Sequence, residues 1–146
     1  MKSEWILVVH AASTFFMTGL IWFVQVVHYP LMSRVGEGYF AEYENRHTRF
    51  TTRVVAAPML VELISGLLLL QWQPIAVPPI IPWLGFLALG LIWVSTWRLQ
   101  VPMHRKLAAG FDAGAHRRLV STNWLRTALW SLRSLLVLAM IAATMR

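Results

Sequence analysis

The sequence has no cysteine and little charge. The lack of cysteine excludes disulfides, thiolate metal ligands and thiol redox chemistry. Asp, Glu, Lys and Arg make up 13% of the 146 residues, whereas they make up roughly 25% of a soluble domain. Hydrophobic residues make up 58%, and the mean hydropathy is +0.58. One soluble core of this length cannot hide so much apolar surface. We therefore predict a single domain, residues 1–146, that is embedded in a lipid bilayer.

Acidic residues are especially scarce. Six Asp and Glu stand against 13 Lys and Arg, which gives a net charge of +7. In a soluble protein this excess would favour a nucleic-acid partner, but no nucleic-acid-binding motif is present. The basic residues instead cluster beside apolar segments, which is typical of membrane topology signals and of contact with anionic lipid.

Four apolar segments predict an all-α, integral membrane bundle of four transmembrane helices. Each has about 20 residues or more, enough to cross roughly 30 Å of hydrocarbon. We expect Pro30 and Pro102 to end the first and third helices, because proline lacks a backbone donor. The first segment is interpreted as a membrane helix rather than a signal peptide, because its apolar run is too long. The predicted helices span about 5–29, 51–72, 80–101 and 119–144.

The basic residues predict an orientation. The second loop carries no Lys or Arg, whereas both other loops are basic, so loops one and three are expected in the cytoplasm. Both termini then lie on the non-cytoplasmic side of an inner (plasma) membrane that the chain crosses four times. The first loop carries Arg34, Arg46 and Arg49, with Arg53 at its edge, and the third carries Arg98, Arg105, Lys106, Arg117 and Arg118.

Polar residues inside the apolar segments predict the buried faces. A charge in a bilayer is costly unless it is paired, so we expect Glu62 to pair with Arg126 or Arg133 inside the bundle. Such a pair is either a structural pin that sets helix register or part of a site for a proton, a metal or an anionic ligand. The predicted inward face of helix one carries His10, Thr14, Met17, Ile21, Gln25 and His28, and that of helix four carries Asn123, Arg126, Trp130 and Arg133.

Four of the five histidines lie near the predicted cytoplasmic helix ends. If the helices pack as an antiparallel bundle, these side chains converge on one layer, where imidazoles bind metal ions or haem iron. The predicted metal ligands are His28, His47, His104 and His116, with carboxylates available from Glu42, Glu44 and Asp112. His28 and His104 are also the predicted cofactor-binding pair, and the expected cofactor is iron, copper or haem. The alternative is a set of headgroup-level histidines that contact lipid and backbone.

Two stretches carry a resemblance to a known family. With "TFFMTGLIWFVQVVHYPLM" at one end and "LVSTNWLRTALWSLRSLLVL" at the other, the chain resembles small bacterial four-helix membrane proteins. It is also distantly similar to the anthrone oxygenase-like family in helix order and in the Asn-x-x-Arg step that opens the last helix. The resemblance implies oxidation of a hydrophobic, often polycyclic aromatic, substrate, with Asn123 and Arg126 in the site.

Two main functional hypotheses follow. The first is a membrane oxidoreductase for a lipophilic small molecule, with catalytic residues Glu62, Asn123, Arg126 and Arg133. In it, Asn123 and Arg126 position a substrate oxygen, while Glu62 holds an arginine or relays a proton. The second is a non-enzymatic accessory or structural subunit, in which the Glu–Arg pair fixes packing. Its basic loops then dock anionic lipid or a membrane partner protein, and the chain can also pair with a second copy of itself. A small transporter is a third and less favoured hypothesis, because no inverted repeat is present.

Overall fold

The computed structural model describes residues 2–145, which are all-helical with no β-strand. Each of four helices is long and apolar enough to cross a membrane, as the sequence predicts. Only 28% to 39% of the most apolar part of each helix is buried, so the outer surface of the bundle is itself apolar. These features indicate a membrane protein. The helices are α1 (Lys2–Met32), α2 (Glu37–Gln71), α3 (Ile80–Leu107) and α4 (Ala113–Thr144).

Buried apolar side chains form three layers along the bundle. The layer beside the chain termini contains Leu7, Ala11, Leu69, Val77, Val137 and Met140. The middle layer contains Met17, Ile21, Met59, Ile92 and Trp130. The layer at the opposite end contains Tyr29, Met32, Phe40, Leu107, Ala115 and Leu119. We call this opposite end the loop end, because the connections 33–36 and 108–112 lie there. Around the bundle, α1 packs on α2 and α4, and α4 packs on α3; α2 and α3 contact each other less extensively.

The helices extend further at the loop end than predicted. The second helix begins at Glu37 rather than at 51, the third ends at Leu107 rather than at 101, and the fourth begins at Ala113 rather than at 119. These extra turns are amphipathic, so a search for unbroken apolar runs misses them.

Asp112 caps α4 by accepting a 2.8 Å hydrogen bond from the Ala115 N–H. The same hydrogen bond holds the pKa of Asp112 below its ordinary value.

The prediction that Pro30 and Pro102 end their helices is wrong. Each proline follows a π-helical segment, Val24–His28 in α1 and Thr96–Gln100 in α3. In both segments the next N–H bonds to the carbonyl five residues back, as Tyr29 does to Val24. A proline ring ordinarily clashes with the carbonyl four residues back, and the wider turn moves the backbone enough for the helix to continue.

A buried charge pair connects α2 and α4 near mid-depth. Glu62 Oε1 lies 3.1 Å from Arg133 Nη2, and both side chains are almost inaccessible to solvent. The prediction that Glu62 pairs with one of two arginines is therefore confirmed, and the partner is Arg133. The other carboxylate oxygen, Oε2, accepts a 3.1 Å hydrogen bond from Trp130 Nε1. Both oxygens of the acid are thus satisfied inside the bundle.

The same pair reaches the other two helices. Arg133 Nη1 donates to the backbone carbonyl of Gly85 in α3. Arg133 Nη2 also lies 3.4 Å from His10 Nε2 in α1, and His10 Nδ1 lies 2.8 Å from Ser65 Oγ in α2. Because Arg133 can only donate, His10 accepts through Nε2 and donates through Nδ1. All four helices are therefore joined by one buried hydrogen-bonded network.

We expect Arg133→Met to lower the free energy of unfolding by about 3–5 kcal/mol, because it leaves the Glu62 carboxylate buried without its counter-charge. Unfolding titrations with a denaturing detergent in mixed micelles measure this change. The exposed Arg98→Met is the matched control and should have little effect. The double variant Glu62→Leu with Arg133→Met should recover much of the loss, since it removes both charges. An Arg133→Met protein as stable as wild type would show that the pair does not hold the bundle together.

Candidate functional site

A second polar cluster lies at the loop end, where α2 and α3 approach each other. Glu44 and His47 come from α2, and His104 comes from α3. One ligand atom from each of these three residues lies within 4.8 Å of the other two. Glu44 is fully buried and the histidines are half-buried. Two histidines and one carboxylate form the ligand set that is typical of non-haem iron(II) sites.

Hydrogen bonds orient the His104 ring from both sides. Its Nδ1 lies 2.6 Å from Glu44 Oε1, and its Nε2 lies 3.1 Å from the Tyr29 hydroxyl on α1. The second carboxylate oxygen, Glu44 Oε2, is buried and has no hydrogen-bond partner among residues 2–145. A buried carboxylate oxygen without a donor is costly, so this atom is well suited to meet a cation or a proton.

His28 completes a row of three imidazoles. Its Nε2 lies 2.9 Å from His47 Nδ1, and the two rings stack with their centroids 4.4 Å apart. The His47 ring in turn lies 5.4 Å from the His104 ring. His47 Nδ1 is also 3.1 Å from the Thr51 hydroxyl one turn along α2. Three of the four predicted histidines are therefore brought together.

The fourth predicted histidine, His116, has a different environment. Its Nε2 donates to the backbone carbonyl of Tyr29 at 2.8 Å, so it fastens α4 to α1 and does not join the cluster. Two of the three candidate carboxylates are also elsewhere. Glu42 pairs with Arg46 on the surface, and Asp112 is occupied as the cap of α4.

The sequence contains a signal for Glu44 that the sequence analysis missed. Glu44 and His47 form an E-x-x-H step, "ENRH", and residues three apart share one face of a helix. The same step supplies metal ligands in di-iron carboxylate bundles. The apolar runs alone predict a loop over residues 30–50, so they do not place these two residues on one helical face.

A cavity of about 400 Å³ opens beside the cluster, between α2 and α3. Its volume lies within the 300–1,000 Å³ that small-molecule sites usually occupy, and it is only partly enclosed. The polar end is lined by Tyr29, His47, His104 and Arg126. The apolar lining comes mainly from α1, with Val55 from α2: Met17, Leu20, Ile21, Val24 and Val55. The α2 and α3 walls add further polar side chains: Asn45, Thr48, Thr51, Thr52, Thr96, Gln100 and Arg105. A ligand with a polar head and an apolar body matches this division.

Of the four predicted catalytic residues, only Arg126 lines this cavity. Asn123 is buried beside it, where its Oδ1 accepts from Arg126 Nη1 at 3.2 Å and its Nδ2 donates to Gln25 Oε1 at 2.8 Å. The Arg126 guanidinium carbon lies 5.2 Å from the centre of the Trp130 ring. Since Trp130 also donates to Glu62, this indole connects the pair Glu62–Arg133 with Arg126.

No protein-family model, curated protein or solved structure matches the chain. The similarity to the anthrone oxygenase-like family therefore stays a prediction. A functional assignment has to rest on the geometry of the site itself.

The absence of cysteine permits a direct test of this convergence. We expect Glu44→Cys with His104→Cys in one chain to be bridged by a short methanethiosulfonate crosslinker, because the native side chains are in hydrogen-bond contact. Intact mass spectrometry distinguishes one bridging linker from two separate adducts. The control pair, His10→Cys with His104→Cys, should not bridge, since His10 is eighteen residues, or about 27 Å, from His28 along α1. Bridging in both pairs, or in neither, would contradict the described arrangement.

Proposed function

We propose that the protein is a membrane-embedded oxidoreductase that acts on a lipophilic substrate with one iron ion held by Glu44, His47 and His104. The observation that carries the proposal is the convergence of two histidines and one carboxylate at the polar end of an apolar cavity. The three residues come from two helices that otherwise pack sparsely. The ligand set leaves coordination positions open, as redox chemistry at iron requires.

The surroundings favour a bare ion over haem. The stacked rings of His28 and His47 leave no space between them for a porphyrin. The unpartnered Glu44 Oε2 supplies a hard oxygen ligand, which favours iron over copper(I). Tyr29 orients His104 in the way that outer-shell groups orient metal-bound imidazoles.

The other predicted residues take supporting roles in this proposal. Arg126, held by Asn123, faces the cavity and positions a substrate oxygen. Glu62 and Arg133 act as the structural pin, because their network joins all four helices and neither residue lines the cavity. That network equally supports the alternative of a non-enzymatic accessory subunit. The alternative does not, however, explain the cluster of Glu44, His47 and His104 beside a cavity.

We further propose that the loop end faces the cytoplasm and that the membrane is the plasma membrane. The basic residues of both loops lie at this end, while the connection between α2 and α3, residues 72–79, carries none. Positive charge in short loops favours the cytoplasmic side. The iron site would then lie near the cytoplasmic surface.

Reporter fusions test this orientation. We expect alkaline phosphatase fused after residue 146 to be active, because the C-terminus is translocated, and a green fluorescent protein at the same position to be dark. Insertion of the same reporters at Gly110, between α3 and α4, is the internal control and should give the opposite result. A fluorescent C-terminal fusion would show that the C-terminus is cytoplasmic and would contradict the proposed orientation.

Elemental analysis tests the metal. Protein purified in mild detergent and reconstituted anaerobically with iron(II) should bind one iron per chain. Glu44→Gln, His47→Ala and His104→Ala should each weaken binding by more than the roughly 10- to 100-fold typical of outer-shell changes. His116→Ala is the matched control and should bind iron normally, since this histidine bonds to backbone.

Circular dichroism and gel filtration check that each variant is folded. Wild-type protein that stays metal-free after reconstitution, or full iron occupancy in both His47→Ala and His104→Ala, would overturn the proposed site. A Soret band in the absorption spectrum would favour haem. Stoichiometric copper that is lost in His47→Ala and His104→Ala but kept in Glu44→Gln would favour a three-histidine site that includes His28.

A further inference from the structure

The polar end of the cavity contains an arginine without an acid partner. Arg126 forms no salt bridge with any carboxylate in the part of the chain that the structure describes. Its Nη1 donates to the neutral amide of Asn123, and its guanidinium lies beside the neutral hydroxyl of Tyr29. Its Nε is buried and, like Arg133 Nε, has no hydrogen-bond partner within residues 2–145. Within the described residues, its direct polar contacts are therefore with neutral groups.

The same helix provides an internal comparison. Arg133 lies two turns from Arg126 on α4, and its charge is balanced by Glu62. A cation in the apolar part of a bilayer is costly unless an anion accompanies it. Arg126 lines an accessible cavity, whereas Arg133 is sealed in the core. An anion supplied from outside the chain would balance Arg126 as Glu62 balances Arg133.

We propose that the cavity binds a single-chain amphiphilic carboxylic acid, with its carboxylate on Arg126 and Tyr29 and its hydrocarbon body along α1. This names the substrate class of the proposed oxidoreductase and in that sense rests on it, although binding of the acid itself does not require the metal. The body would lie against the apolar lining formed by Met17, Leu20, Ile21, Val24 and Val55.

Two features favour a carboxylate on one chain. Arg105 also lines the cavity but is exposed to solvent, so Arg126 is the lining guanidinium that is shielded from water. One shielded guanidinium matches the charge and planar shape of one carboxylate, whereas a phosphate dianion calls for more than one cation. A partly enclosed volume of about 400 Å³ is suited to one slender ligand and small for a two-chain lipid. The sparse packing between α2 and α3 leaves a side on which such a ligand can enter.

Neighbouring side chains hold Arg126 ready for this ligand. Asn123, itself held by Gln25, fixes one end of the guanidinium. The Trp130 ring supports its face at 5.2 Å, and the hydrogen bond to Glu62 fixes the angle of that ring. A guanidinium held in advance loses less freedom on binding. These four side chains are positioning residues for Arg126 and do not touch the ligand.

The test compares hexadecanoate with hexadecanol, which has the same chain and no charge. Binding to chelator-treated protein in non-ionic detergent is measured by isothermal titration calorimetry. We expect the acid to bind about 10- to 100-fold more tightly than the alcohol, because a hydrogen bond to a charged group contributes that much. Arg126→Gln should remove this preference and leave alcohol binding unchanged. Arg98→Gln, which removes one exposed positive charge outside the cavity, should retain it.

Equal affinities of wild-type protein for acid and alcohol would overturn the proposal, and this comparison requires no variant to fold. So would a preference that survives in Arg126→Gln. Binding of phosphatidylglycerol in place of hexadecanoate would identify a membrane-lipid site and would also overturn it. Elemental analysis of a second sample of the same protein, reconstituted anaerobically with iron(II), separates the two proposals. Acid binding by a protein that takes up no iron supports the ligand and contradicts the iron site, and iron uptake without acid binding does the reverse.

Discussion

The pairing of Glu62 with Arg133 is the interaction on which the rest of this bundle depends. In a bilayer, lipid tails are as apolar as leucine, so the hydrophobic effect does little to choose between helix arrangements. A buried acid and a buried base can be accommodated only in an arrangement that brings them together. Here one carboxylate and one guanidinium on α2 and α4 also engage a carbonyl of α3 and a histidine of α1. The depth and rotation of all four helices are therefore set together.

This arrangement has consequences for the cavity at the loop end. Trp130 donates to Glu62 and supports Arg126, so the structural network and the candidate site share one side chain. The two ends differ in chemical character. The charge of Arg133 is balanced by Glu62, whereas among the described residues Arg126 has no carboxylate partner and Glu44 Oε2 has no hydrogen-bond partner. Unsatisfied groups beside a cavity are expected where a ligand completes the structure.

The two π-helical segments, Val24–His28 and Thr96–Gln100, also lie toward the loop end of the bundle. Each precedes a proline, and each places a glutamine in the interior, Gln25 in α1 and Gln100 in α3. Gln25 accepts from Asn123, and Gln100 lines the cavity. Wider helical turns of this kind are common at functional sites because they redirect side chains that a regular helix would turn elsewhere.

The fold class, the number of helices and the inward faces of α1 and α4 follow from the amino-acid sequence alone. Apolar length and helical periodicity are local properties, and the cost of a lone charge in lipid made a Glu–Arg pair predictable. The packing of the helices makes Arg133 the partner of Glu62 and places His116 against a backbone carbonyl. It also brings Glu44 and His47 together with His104. These outcomes depend on helix rotation and on amphipathic turns beyond the apolar runs. Helix rotation is set by contacts between residues far apart in the chain, which no local pattern reports, whereas the E-x-x-H step is a local signal for the turn that carries Glu44.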